Sequence, residues 1–233
     1  MTVQTALTID QLEFGWQAQK PILNIPTLTL LRGESLFVRG PSGSGKSTLL
    51  NLMSGVLRTR KGSIQLLGQP FSSWNDKQRD QFRSDHIGYI FQQFNLLPYL
   101  SVLDNVLLPC RISSVRKNNA LKHHANIADS ARAWLNQLNI PARLFEQQIS
   151  RLSVGQQQRV AAARALIGEP EIIIADEPTS ALDQDNVDNF MEVLTSQCRH
   201  INSSLIFVSH DRHLSSFLQQ TYELPALAEE VNS

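Results

Sequence analysis

The stretch GPSGSGKST at residues 40–48 constrains this chain more than any other, because it dictates what must stand on either side of it. It follows an apolar run, SLFVRG at 35–40, and precedes apolar residues at 49, 50, 52, 53, 56 and 57, which have helical spacing. A G-x-x-x-x-G-K-[ST] pattern between a strand and a helix is a phosphate cradle. Gly40, Gly43 and Gly45 let the backbone turn so that successive N–H groups face the β- and γ-phosphates of a nucleotide. Pro41, Ser42, Ser44 and Thr48 complete the loop. A helix opening near Lys46 adds the positive end of its dipole. Lys46 supplies a point charge to the phosphate oxygens, and Ser47 offers a hydroxyl to Mg²⁺.

The rest of the chain supplies an α/β frame for that loop. ALTIDQLEF and PILNIPTLTLLRGESLFVRG alternate apolar and polar residues, which predicts an N-terminal antiparallel β region, and GSIQLLGQP at 62–70 adds a hairpin strand. HIGYIFQ at 86–92, EIIIAD at 171–176 and SLIFVSH at 204–210 are short and continuously apolar, as buried parallel strands are. QQQRVAAARALIG, stopped by Gly168 and Pro170, and NVDNFMEVLTSQCRH are helical between them. From 93 to 154 the texture changes to long polar, helix-forming runs such as VRKNNALKHHANIADSARAWLNQL. The expected architecture is one domain spanning 1–233. A nucleotide-binding core with a mostly parallel sheet occupies 1–92 and 155–228, with an inserted helical subdomain at 93–154.

Chemistry collects at the carboxyl ends of the predicted strands, where ligands bind in open α/β sheets. Asp176 emerges there and suits Mg²⁺ coordination; Glu177 follows, placed to orient and polarise an attacking water. Paired acids after a strand can also be no more than a helix cap. His210 ends its own strand facing the same crevice, where an imidazole can hydrogen-bond a γ-phosphate. His86, His123, His124, His200 and His213 have no such placement.

Composition narrows the partners. Lys plus Arg and Asp plus Glu both number 21, so the net charge is zero and no nucleic-acid partner is expected. RTRKG at 58–62 is the densest basic strip and has the composition of a solvated turn. Cys110 and Cys198 lie far apart with no metal or redox spacing, which fits a reducing setting. MTVQTALTID lacks the character of a signal peptide, and no run approaches the roughly 18 apolar residues of a membrane helix.

Taken together, these residues resemble the nucleotide-binding subunits of ABC transporters, over about residues 5–215. The fold this implies is a P-loop NTPase (RecA-like) core, and the activity is ATP hydrolysis with ATP and Mg²⁺ as cofactors. By that likeness Trp16 in EFGW stacks on adenine, with Phe14 the core residue of the pair, and Lys46 and Ser47 belong to the Walker A loop. Gln92 in YIFQQF is the loop glutamine that touches Mg²⁺ and the water, and Asp176 and Glu177 form the Walker B end. Asp183 in SALD contacts the partner subunit, and His210 is the switch histidine. LSVGQ at 152–156 resembles the signature motif, whose Ser153, Gly155 and Gln156 serve ATP bound by a second copy in a head-to-tail dimer. Val154 stands where the family pattern has glycine, and is harmless unless the position demands a positive φ.

The apolar segment around Phe94–Leu100 resembles the surface that receives a membrane permease, which places the protein at the cytoplasmic face of the inner membrane. FQQFNLLPYLSVLDNV and QQQRVAAARAL look most like the lipoprotein-releasing and macrolide-export type, which implies export or extraction. The chain ends soon after His210, which leaves no space for the regulatory domain of some sugar importers. The motifs are nearly shared with the ATPases of small-molecule importers, so that reading stays open. ABC ATPases that act on DNA or ribosomes usually carry paired nucleotide domains or long coiled coils, and this sequence has neither.

Overall fold

Two sheets organise the chain, which the computed structural model describes over residues 4–17, 21–180 and 184–225. Strands β1 (Thr5–Phe14) and β2 (Leu23–Leu31) pair antiparallel, with Ile9 opposite Leu28 and Phe14 opposite Leu23. In β1, Leu7 and Ile9 point inward, and an irregularity between Asp10 and Glu13 then shifts the parity so that Leu12 and Phe14 also do. Gln11 takes φ +48° inside that irregularity, as a residue in a bulge can.

β3 (Ser35–Arg39) leaves this layer for a second sheet and runs into α1 (Lys46–Met53). β4 (Lys61–Leu66) returns to complete the antiparallel order β2-β1-β4. Then come α2 (Asp76–His86) and β5 (Ile87–Ile90). Four helices follow before the next strand: α3 (Val102–Ile112), α4 (Ser114–Ala120), α5 (Ile127–Gln137) and α6 (Val154–Leu166). β6 (Ile172–Asp176), α7 (Gln184–His200), β7 (Ser204–Val208) and β8 (Gln220–Glu223) close the fold. The second sheet is parallel throughout, in the order β5-β6-β7-β3-β8. No described helix is long and apolar enough to cross a membrane.

Side-chain alternation along the buried strands divides the core in two. Phe37, Ile173, Ala175, Leu205 and Phe207 face one way and pack with apolar residues of α3, α5, α6 and α7. Leu36, Val38, Ile172, Ile174, Ile206 and Val208 face the other way, against α1 and the antiparallel sheet. This is why those strands look continuously apolar in sequence: both faces are covered.

Several local expectations change. α6 begins at Val154 rather than near Gln156, because Ser153 caps it: its hydroxyl accepts from Gln156 N–H and the Gln156 side chain accepts from Ser153 N–H. The run predicted to be helical through Leu57 ends at Met53, followed by Gly55 at φ +73°. The polar run 115–138 breaks into α4 and α5, the second opened by an Asn126 cap. α2 is new; Asn75 and Gln78 form its capping box, and its apolar content is too low for periodicity to find it. Arg116 of α4 closes the far end of α6, donating to Ala165 O at 2.6 Å and Ile167 O at 2.9 Å. Burial pushes its guanidinium down to about 10.

Candidate functional site

The loop after β3 is built around two glycines that no other residue replaces easily. Gly43 has φ +80° and faces open space, so its backbone angle alone demands glycine. Gly45 has φ +91°, and a Cβ there would lie 2.8 Å from Leu23 Cδ2. Gly45 is also the residue before α1, and no side chain caps that helix end. First-turn N–H groups without a cap are free for an anion. Lys46 folds back over the loop, its Nζ donating to Gly40 O at 2.8 Å and Pro41 O at 3.0 Å. Ser44 Oγ is buried with no hydrogen-bond partner, an orphaned donor inside a phosphate-shaped loop. The residues present therefore fit a phosphate chain.

A cleft of about 370 Å³ opens above this loop, lined by Ser42, Gly43, Gly45, Lys46, Ser47 and Thr48. Trp16, Ile22 and Glu177 complete its walls. Trp16 is 62% exposed and meets Phe14 edge-on at 5.4 Å, while Phe14 is buried in the core. Gly40, Pro41 and Ser44 stand behind the lining and shape it through Lys46 and the loop backbone.

The parallel sheet carries the remaining groups to the same edge. Gln92 follows β5, Asp176 ends β6 and Glu177 follows it, His210 follows β7 and the loop follows β3, on adjacent strands. Glu177 is held at φ +44°, an uncommon angle for glutamate. Its N–H donates to Val208 O at 2.9 Å, and Gln158 of α6 donates to the next carbonyl, Pro178 O, at 3.0 Å. Its carboxylate lies 4.0 Å from Lys46 Nζ and 3.6 Å from His210 Nδ1. Burial raises the Asp176 carboxyl above its ordinary range; the Glu177 charge adds to this and Lys46 opposes it. A nearby divalent cation would reverse that cost.

Other expected positions stand apart from the cleft. Gln92 is exposed beyond β5 and does not line it. Ser153 and Gln156 satisfy each other at the start of α6, and neither they nor Gly155 lines the cleft of their own chain. Val154 is 46% exposed and has no positive φ, so the position makes no demand for glycine. Asp183 lies outside the described residues. Phe94 corrects the apolar surface expected at Phe94–Leu100: it is 7% exposed, and its ring belongs to the core around α6. Tyr99, in contrast, is 71% exposed.

A family model described as ABC transporter matches residues 23–180. The chain belongs to the ABC transporter family. It is 35% identical over 205 residues to the lipoprotein-releasing system ATP-binding protein LolD of Saccharophagus degradans, covering 88% of this chain and 86% of that one. It is also 35% identical over 186 residues to the bacitracin export ATP-binding protein BceA of Halalkalibacterium halodurans, covering 80% and 70%. A solved dimeric structure of the ATP-binding cassette MJ0796, in a post-hydrolysis state with ADP and Pi, superposes with a TM-score of 0.80. Identity to it is 30%, with 94% of each chain covered. This cassette is an ATP-binding subunit and an ATPase.

Two residues of the site carried no sequence signal. Ile22 lines the cleft as an ordinary apolar residue after Pro21. Gln158 steadies the Glu177 turn from α6, though in sequence it is one glutamine of three in a row.

Proposed function

We propose that the cassette hydrolyses Mg·ATP at a site completed by a second copy of itself, and that this powers a separate membrane permease. The observation that carries the reading is the Glu177 carboxylate set between Lys46 and His210 at the mouth of the phosphate cleft. Bound Mg·ATP supplies an electrophilic γ-phosphate whose charge the metal neutralises. Gly43, Gly45 and the uncapped α1 end donate N–H groups to the phosphates, and Lys46 turns from its loop carbonyls toward them. Ser47, Asp176 and Gln92 would hold Mg²⁺, and Trp16 would stack on adenine. Glu177 accepts a hydrogen bond from the attacking water, and His210 keeps that carboxylate in place and reaches the γ-phosphate. Ser153, Gly155 and Gln156 serve the γ-phosphate of the partner copy, and Asp183 meets that copy. MJ0796, a cassette of the same fold, forms a dimer.

The permease would rest on the segment near Phe94–Leu100 through Leu97 and Tyr99, with Phe94 as the buried anchor. The cassette would then sit peripherally on the cytoplasmic face of the inner membrane. Likeness to proteins named for lipoprotein release and bacitracin export favours export or extraction over import.

The test is Glu177→Gln in the full chain. Hydrolysis should fall roughly a thousandfold while ATP still binds, and a stable ATP-bound dimer should appear by size exclusion with light scattering. A variant that turns over like the parent and stays monomeric would remove the reading.

A further inference from the structure

Arg164, on the flank of α6 near the end of β5, has no part in the chemistry above. Its Nη2 donates to Phe94 O at 2.6 Å and its Nη1 to Asn95 O at 2.7 Å. Those carbonyls belong to the turn that follows Gln92. Phe94 and Asn95 both take left-handed angles, φ +59° and +48°. Such angles are unfavourable for an ordinary residue and less so for asparagine. Two short bonds close the turn, Phe94 N–H to Phe91 O at 2.9 Å and Asn95 N–H to Gln93 O at 2.6 Å.

The two residues are held differently. The Phe94 ring is buried in the core and fixed by packing, whereas Asn95 is exposed. From outside the turn, its carbonyl is gripped by Arg164. Burial pushes the Arg164 guanidinium down to about 10, which leaves it charged at neutral pH, and charge-assisted hydrogen bonds are the strong ones. Ser153 caps the same helix, which therefore carries the signature residues at its start and the grip on this turn near its end.

We propose that Arg164 is a positioning residue that ties the Gln92 turn to the signature helix. This grip fixes where the turn presents Gln92. The proposal rests on the roles given above to Gln92 and Ser153.

The experiment uses Arg164→Met in the full chain, which keeps the aliphatic stem and removes both donors. Amide hydrogen exchange over residues 92–96, without nucleotide, should speed up about tenfold while β5 and β6 keep their protection. The kcat for ATP should fall about tenfold with KM within about twofold, since Arg164 does not line the cleft. Arg164→Lys should recover part of both losses. In Gln92→Ala/Arg164→Met the kcat should equal that of Gln92→Ala alone. Unchanged exchange over 92–96 would overturn the tie, and so would multiplying kinetic effects in the double variant. A lower melting temperature with kcat and KM intact would make Arg164 merely structural and overturn it too. If exchange speeds up while Gln92→Ala alone leaves kcat untouched, the tie is supported and the role of Gln92 falls instead.

Discussion

Two helices of this cassette have been proposed to meet phosphate at their first turns, and they begin in opposite ways. α1 starts after Gly45 in a left-handed conformation, with no side chain capping its first turn and with the Ser44 hydroxyl buried and unpartnered. α6 starts after Ser153, whose hydroxyl and Gln156 form a reciprocal box that satisfies the end internally. The first end is left incomplete by its own chain and therefore waits for a ligand. The second is complete alone. That contrast matches the division proposed for them: α1 holds the nucleotide in one copy, and α6 engages only when another copy brings its nucleotide across. A capped Ser153 still has its hydroxyl proton to donate, so α6 can join a phosphate without first breaking its own cap.

The largest effect that would break this contrast lies at α1. Lys46→Ala should weaken ATP binding by about a hundredfold, the worth of a charge-assisted contact, as isothermal titration would show. The folded state should change little, because the amine's partners are two loop carbonyls and the Glu177 carboxylate at 4.0 Å, all at the edge of the cleft. Ser44→Ala sharpens the same point at smaller scale. An orphaned buried hydroxyl stabilises nothing, so thermal stability should hold or rise while ATP affinity drops about fivefold. Loss of stability with unchanged affinity would mean the hydroxyl serves the fold and not the ligand.

The α1 end was legible in the sequence because its chemistry is local: glycines, a lysine and a serine at fixed spacing between a strand and a helix. The buried strands were legible for a similar reason, since β6 and β7 are continuous apolar runs. Groups that depend on distant neighbours were not. Nothing near Gln158 says that its amide reaches Pro178 O beside Glu177, and nothing near Arg164 points to the carbonyls of 94 and 95. The segment Phe94–Leu100 reads as an exposed apolar surface because composition does not reveal direction. In the fold, Phe94 turns inward through a left-handed backbone, and Val102, Leu103 and Val106 become the buried face of α3. α2 escaped for the opposite reason, as a helix so polar that only its Asn75 cap marks it.

Predictions at α6 are smaller and separate cap from catalysis. Ser153→Ala should cost about 1 kcal/mol through the lost cap, or roughly 2–4 °C in melting temperature for a chain of this size. ATP affinity of the single cassette should stay within twofold, because Ser153 does not line its own cleft. Turnover at concentrations that allow dimers should fall about tenfold. Equal losses of affinity and turnover would place Ser153 in its own copy's site and end the division between the two helices.

The smallest effect belongs to Val154, the residue that departs from the family's glycine. Its backbone opens α6 without a positive φ, and its side chain is 46% exposed. Glycine is therefore tolerated there but not required. Val154→Gly should lower stability by no more than about 0.5 kcal/mol, since glycine is the poorer helix former and valine itself only a middling one. Turnover should change less than about twofold, measured as steady-state phosphate release at saturating ATP. A rise of tenfold or more would mean that the valine holds the partner's phosphate away from the α6 end. The internal cap of α6 would then be a resting state, and the two helix ends would differ in competence as well as in timing.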